Sequence, residues 1–195
     1  MNMREVSICY GMTETSPVSI QTKIGTPLEK QVSTVGTVMD HLEIKIIDPE
    51  TGEILPWGVQ GELCTRGYSV MLKYWNMPEA TAQVKDNNNW LYSGDLATMD
   101  DEGYVNITGR IKDLIIRGGE NISPKEIEDY LYTPPKISDV QIIGVPSEKY
   151  GEEVMAWVKI KENELCSEDE LQEFCMSIAP VSYTHLRAHE TLRYL

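Results

Sequence analysis

No stretch of this sequence approaches the ~18 uninterrupted apolar residues that a membrane-crossing helix needs. Its opening, MNMREVSICYG, lacks the basic, apolar and small-residue succession of a secretion signal. Basic residues are scarce: 17 Lys and Arg stand against 31 Asp and Glu, and a formal net charge of -14 argues against a nucleic-acid surface. Any anionic ligand must therefore rely on local cations or on backbone N–H groups. Cysteines are few, and Cys9, Cys64, Cys166 and Cys175 match neither a C-x-x-C pair nor a zinc finger, so they read as free thiols in a reducing compartment. What remains is a soluble intracellular globular protein, expected in the cytoplasm. Its 195 residues allow one ordinary domain or two small ones, and 41% hydrophobic content is enough for a core.

Periodicity outlines the elements. LEIKIID, Leu42 to Asp48, alternates apolar and charged residues as a half-buried strand does, and Pro49 to Gly52 supplies turn chemistry. Gly61 to Arg66 reads as a second strand, and Pro78 to Val84 as a short helix with proline in its first turn, where a missing N–H costs nothing. Asn87 to Asn89 is a loop, and WLYSGDLATMDDEGYVNITGR is a strand pair turning at Asp100 to Gly103. Leu114 to Ile116 predicts a short strand, and Ser123-Pro124-Lys125-Glu126 a capping box opening a helix with Ile127, Tyr130 and Leu131 on one face. Val140 to Val145 and Val154 to Lys161 predict strands. Ser167 and Glu170 predict a second capping box, with Leu171, Phe174, Cys175 and Ile178 in one stripe. This last α+β unit, at about 70 residues, is near the lower limit for an independent core and reads as a small lobe beside a larger body. The boundary falls at Gly109 to Lys112.

Two stretches carry unusual chemistry. In YSGDLA a single carboxylate, Asp95, directly follows Ser93-Gly94, with Arg110 toward the outer end of the partner strand, so that both could face one ligand. Between Gly109 and Arg117, Arg110, Lys112 and Arg117 against Asp113 make a net of plus two, a positive island in an acidic chain. Taken alone, Asp95 reads as an exposed turn aspartate capping a strand end, and the cations equally as an ordinary solvated strand edge. The final VSYTHLRAHETLRYL places His185 and His189 at helical i, i+4 spacing, but no third metal ligand is evident and the order is not H-E-x-x-H. It reads as a helical or frayed tail, or as a foreign segment resembling adapter-derived translation at the ends of unrelated reading frames, and no function is assigned to it.

YGMTE (Tyr10 to Glu14), the Gly94-Asp95 pair and GRIKDLIIRGGENISPKEIE, in that order, resemble the adenylate-forming ligases: acyl-CoA synthetases, luciferases and peptide-synthetase adenylation domains. The resemblance spans about residues 3 to 180. GTVMDHLEIKIIDPETGEILPWGVQGELCTRGYSVMLKYW and VQIIGVPSEKYGEE look most like the medium-to-long-chain fatty acyl-CoA synthetase branch. The resemblance implies an α+β fold in which residues 1–109 are the β-rich C-terminal part of the large AMP-binding domain and residues 110–180 an incomplete small C-terminal lobe. Residues 181–195 would be a non-native tail.

It also implies an ATP-dependent ligase that activates a carboxylic acid, expected to be a fatty acid, as acyl-adenylate and passes the acyl group to CoA. By resemblance, Asp95 would grip both ribose hydroxyls of ATP, because one carboxylate offers acceptors to two neighbouring donors. Gly94 would allow close backbone approach, and Arg110 would donate to ribose and phosphate oxygens from a planar fork. Taken alone, Arg110 is a surface ion pair worth at most about 1 kcal/mol. Tyr10 would lay its ring beside adenine, or pack as a core aromatic. Gly11 would belong to the same nucleotide-binding turn. Thr13 would hydrogen-bond the α-phosphate, and Glu14 would hold Mg2+. Lys112 matches the hinge of the small lobe. Gly118 and Gly119 would line the pantetheine path, or form a plain tight turn.

Two family elements have no counterpart in the sequence: a phosphate loop rich in glycine, serine and threonine well upstream of YGMTE, and a catalytic lysine in a Gly-Lys context, a dipeptide that occurs nowhere. The chain therefore reads as an internal piece of a synthetase that alone scarcely catalyses adenylation. An adenylation domain loading a carrier protein, or a non-catalytic binding fragment, remain alternatives.

Overall fold

Three short strands, β1 (Cys9–Gly11), β2 (Val18–Gln21) and β3 (Thr37–Val38), form an antiparallel sheet in the order β1-β2-β3, with helix α1 (Leu28–Ser33) between the last two. An antiparallel meander follows: β4 (Leu42–Ile47), β5 (Gly61–Gly67), β6 (Leu91–Met99) and β7 (Val105–Arg110) pair in chain order. Helix α2 (Pro78–Val84) lies between β5 and β6 and carries its proline in the first turn as predicted. The two sheets meet where Val105 of β7 donates its N–H to Gly36 O and accepts from Val35 N–H. Ile20, Ile46, Leu63, Ala97 and Val105 interlock there as one buried cluster. Removing each such side chain from water is worth at most about 1.5–3 kcal/mol. That contact fixes the ladder that carries Asp95 and Arg110.

This computed structural model describes residues 6–162, 164–167, 170, 171, 174 and 187–189. The chain divides into two compact units between Ile111 and Lys112. In the second unit, β8 (Ile115–Arg117) and β9 (Glu120–Ile122) form a hairpin, helix α3 (Pro124–Leu131) follows, and β10 (Ile137–Ser147) pairs with β11 (Gly151–Ile160) over their full lengths. Four strands of this sheet run in the order β10-β11-β8-β9, each antiparallel to its neighbour. Along β11, Val154, Ala156 and Val158 are buried while Trp157 and Lys159 are exposed, the period-2 pattern of a strand with one face on a core. Ile127 and Leu131 of α3 bury against that face together with Leu171, and Tyr130 stacks on Phe174. Cys175 and Ile178, the remaining members of the predicted stripe, lie outside the described residues.

The fold is α+β and strand-rich, as the sequence predicts. Several local expectations need correction. Ser123 occupies the N-cap of α3 with extended backbone, but no side-chain cap hydrogen bond forms. Pro124 in the first turn already removes one orphan N–H, so the helix start has one fewer donor to satisfy. At the second predicted box only half forms: Glu170 N–H donates to Ser167 Oγ at 3.2 Å, while the Glu170 carboxylate is drawn to Lys136. The tail is not helical where it is described. Arg187–His189 is a strand, β12, parallel to β11 with His189 opposite Trp157, so helical spacing does not govern this segment. His185 lies outside the described residues.

Candidate active site

Asp95 and Arg110 are direct partners on the β6–β7 ladder, and Arg110 Nε donates to Asp95 Oδ1 at 3.0 Å. The Tyr10 hydroxyl, reaching from β1, donates to Asp95 Oδ2 at 2.6 Å. The two carboxylate oxygens are thus each held by one protein donor. An ionised carboxylate has about four lone-pair sites, so each oxygen retains room for one further donor. The Asp95 side chain is 10% exposed and that of Arg110 69%, which leaves an anchored acid beneath a solvent-facing guanidinium.

The backbone at Asp95 is shaped by a bulge. Glu62 pairs with Leu96 and Cys64 with Tyr92, so Leu63 of β5 alone faces Ser93, Gly94 and Asp95 of β6. Gly94 takes φ +73°, which glycine adopts without strain, and a Cβ there would meet no atom within 4 Å. The space beside Gly94 is open, and within the protein it is the backbone angle that calls for the glycine. Ser93 Oγ accepts from Asp95 N–H at 3.0 Å and donates to Leu63 O at 2.7 Å. Gly94 N–H donates to Glu62 Oε1 at 2.9 Å. Two groups feel this crowding. Burial, then the bond to Asp95, pushes the Tyr10 phenol well above its ordinary range. Burial raises the Glu62 carboxyl, the Gly94 N–H opposes the rise, and the nearby Asp95 charge adds to it.

The YGMTE segment runs from β1 into a 3-10 turn at Thr13–Thr15. Gly11 is demanded by sterics: a Cβ would lie 1.7 Å from Pro17 O. Thr15 is buried and pins the turn, accepting from Met12 N–H at 3.1 Å and donating to Pro17 O at 2.8 Å. Thr13 is exposed beside it. Glu14 Oε1 accepts from the Tyr74 hydroxyl at 2.7 Å, and Glu14 O accepts from Met71 N–H at 2.8 Å. The bond to Glu14 raises the Tyr74 phenol. Tyr10 also packs its ring against the core cluster of Ile20 and its neighbours.

Tyr10, Asp95 and Arg110 are thus brought together, with Gly11, Thr13 and Glu14 on the turn that Tyr10 leads into. Lys112, Gly118 and Gly119 belong to the second unit. Lys112 is exposed in a 3-10 turn at Ile111–Asp113. Gly118 and Gly119, at φ +60° and +93°, make the β8–β9 turn, where Gly118 N–H donates to Tyr150 O at 2.9 Å. Glu62, Ser93 and Tyr74 complete this network; the sequence reading noted Ser93 without a role and did not find Glu62 or Tyr74. Glu62 and Tyr74 lie 32 and 60 residues from their partners, so no local pattern ties them. Among the described residues no three His, Cys, Asp or Glu side chains group as a metal site, and no helix is long and apolar enough to cross a membrane.

The same residues can be set beside known proteins. Residues 1–75 match the AMP-binding enzyme family and residues 126–191 the AMP-binding enzyme C-terminal domain, in the order that the two units follow. The chain belongs to the AMP-binding enzyme family. It is 49% identical over 175 residues to YngI of Bacillus subtilis (strain 168), covering 90% of this chain and 32% of that protein. It is 48% identical over 178 residues to the mitochondrial medium-chain acyl-CoA ligase ACSF2 of Danio rerio, covering 90% and 29%. The chain therefore spans about a third of the length of these relatives. In structure it is similar to ATP-bound MatB from Rhodopseudomonas palustris, with a TM-score of 0.87 and 32% identity, over 96% of this chain and 37% of that one.

Proposed function

We propose that this chain supplies the nucleoside clasp and the small lobe of an ATP-dependent acyl-CoA ligase. The observation that carries the reading is the Tyr10–Asp95–Arg110 constellation, a buried carboxylate with one free acceptor site on each oxygen beneath an exposed guanidinium. The spacing of two acceptors on one carboxylate suits a vicinal diol, and Arg110 would turn its remaining N–H groups toward the ribose and phosphate oxygens. Tyr10 would place its ring beside adenine while its hydroxyl holds Asp95. Thr13, exposed on its turn, would donate to the α-phosphate.

The donor set fits a magnesium ion of one kind only. Glu14 is a single carboxylate, with no three-residue ligand cluster among the described residues, so it suits an ion that takes one protein ligand and completes its shell with water and substrate phosphates. When bound, such an ion neutralises phosphate charge. In the reaction, a carboxylate oxygen of the acid forms a bond to the α-phosphorus as the bond to pyrophosphate breaks. The CoA sulfur then bonds the acyl carbon, and AMP leaves with the electron pair. Residues 1–109 would form the end of the large domain and residues 110–180 the small lobe. Lys112, at the division between the two units, would be the hinge, and Gly118 and Gly119 would line the thiol's path. The acyl-CoA ligase name of the 48% identical relative supports CoA over a carrier protein as acceptor, and a medium-chain fatty acid as substrate. The free thiols of Cys9, Cys64 and Cys166 suit a cytoplasmic site of action.

Calorimetry of the 195-residue chain with ATP and with 2′,3′-dideoxy-ATP tests the clasp. Charge-assisted hydrogen bonds are worth about 1.5–3 kcal/mol each, so removal of both hydroxyls should weaken binding at least about tenfold. Equal affinity for the two nucleotides would refute the diol assignment.

A further inference from the structure

Asp95 does not hold its position unaided, because it directly follows an irregular excursion of the β5–β6 ladder. Leu63 faces three residues of β6, and the apex of that excursion is a glycine at φ +73° with open space around its α-carbon. Ser93 stitches the flank of the bulge to Leu63 O and to Asp95 N–H. The apex N–H is met by one group, Glu62 Oε1, from the neighbouring strand at 2.9 Å. We infer that Glu62 is a positioning residue of the nucleoside clasp, whose carboxylate oxygen fixes the Gly94 apex and thereby aims Asp95. The inference rests on the reading of Asp95 as the ribose acid.

Glu62 is half-buried with Asp95 as its acidic neighbour, and like charges this close oppose each other. Its charge is therefore a cost to the site. What the site gains is the acceptor, aimed at the N–H of the Ser93–Gly94 peptide, which holds the apex of the bulge one residue before Asp95. A side chain that only filled space, or only supplied charge, would not need that geometry. The amide of glutamine offers the same acceptor without the charge, whereas leucine offers similar bulk and no acceptor.

Calorimetric titration of AMP into the wild-type chain and its Glu62→Gln, Glu62→Leu and Asp95→Asn variants separates the possibilities. Glu62→Gln should bind within about twofold of wild type, and Glu62→Leu about tenfold more weakly, the loss expected of one well-formed hydrogen bond. Asp95→Asn should bind at least about tenfold more weakly. If Glu62→Leu binds like wild type while Asp95→Asn does not, the inference falls and the clasp stands. If glutamine and leucine weaken binding equally, the acceptor is not what matters, and the inference falls. Unchanged binding by Asp95→Asn, or absence of binding by wild type, overturns the clasp and the inference with it. Hydrogen exchange at Gly94 N–H in the wild-type chain gives a readout that no variant's folding can obscure. It should be slowed at least about tenfold relative to an unstructured glycine, and exchange at the free rate overturns the inference.

Discussion

Replacing Tyr10 by phenylalanine removes one hydroxyl and nothing else, and the structure fixes what that hydroxyl does. It donates to Asp95 Oδ2 at 2.6 Å, at a side chain only 10% exposed, while the ring packs against the Ile20 cluster. Phenylalanine keeps the ring and opens no cavity, so the loss is confined to a hydrogen bond to a charged acceptor, worth about 1.5–3 kcal/mol. Arg110 continues to hold Oδ1, which places the expected destabilisation toward the lower end, about 1.5–2 kcal/mol. That raises the unfolded fraction roughly tenfold or more. Guanidinium unfolding followed by tryptophan fluorescence reads it, since Trp57, Trp75 and Trp90 all lie in the first unit. The pH dependence carries the sign. The folded state holds the Tyr10 proton more tightly than the unfolded chain, because burial and the Asp95 bond disfavour the phenolate. The hydroxyl's contribution is therefore fully present below the ordinary tyrosine pKa of about 10 and is lost as pH rises toward the elevated folded value. Tyr74, Tyr92 and Tyr132 are also raised, but they are common to both proteins and cancel in the difference. The gap between wild type and Tyr10→Phe should hold steady from neutrality to about pH 10 and then close. A gap below about 0.5 kcal/mol at neutral pH, or one that widens in alkali, refutes the buried bond.

Gly11→Ala drives a methyl group to within 1.7 Å of Pro17 O, a backbone atom that cannot swing aside, and should cost about 3 kcal/mol or more, visible as loss of the cooperative unfolding transition at low denaturant. A folded Gly11→Ala protein of wild-type stability would mean that the turn after β1 is drawn wrongly. In the second unit, Arg117 and Glu153 pair at 3.0 Å with side chains 13% and 14% exposed, and the guanidinium covers the Tyr150 ring at 4.1 Å. Glu153→Ala strands that cation and should destabilise by about 3 kcal/mol, whereas Lys125→Ala, which breaks the exposed i, i+4 pair with Asp129 at 2.8 Å, should cost about 0.3–0.5 kcal/mol. Equal effects in thermal melts would contradict the burial difference.

The sequence announced those parts of the fold that periodicity controls. β4, β5, α2, β10 and β11 follow from alternation, turn residues and a proline placed in the first helical turn. The strands of the first sheet run to four residues at most, too short to repeat a pattern, and their partners lie across intervening loops, so they left no trace. The candidate site shows the same division more sharply. Counting outward from the turn at Asp100 to Gly103 brings Asp95 and Arg110 to the same end of a hairpin, but not face to face. In the half of the ladder near the turn, Ala97 pairs with Ile107 and Met99 with Val105, a register that would set Asp95 against Gly109 if it continued. It does not continue: Leu96 pairs with Gly109, leaving Thr108 as the extra residue of a β-bulge, and Asp95 meets Arg110. A slip of one residue turns a side chain to the opposite face of a sheet. With a regular ladder the guanidinium would point away from the carboxylate, and the ion pair at 3.0 Å could not form. The bulge at Thr108 is that slip of one residue, and it turns Arg110 to the face of Asp95. Neither acid nor cation specifies the arrangement alone; one irregularity in β-sheet register sets a buried carboxylate beside an exposed guanidinium, the geometry on which the proposed clasp depends.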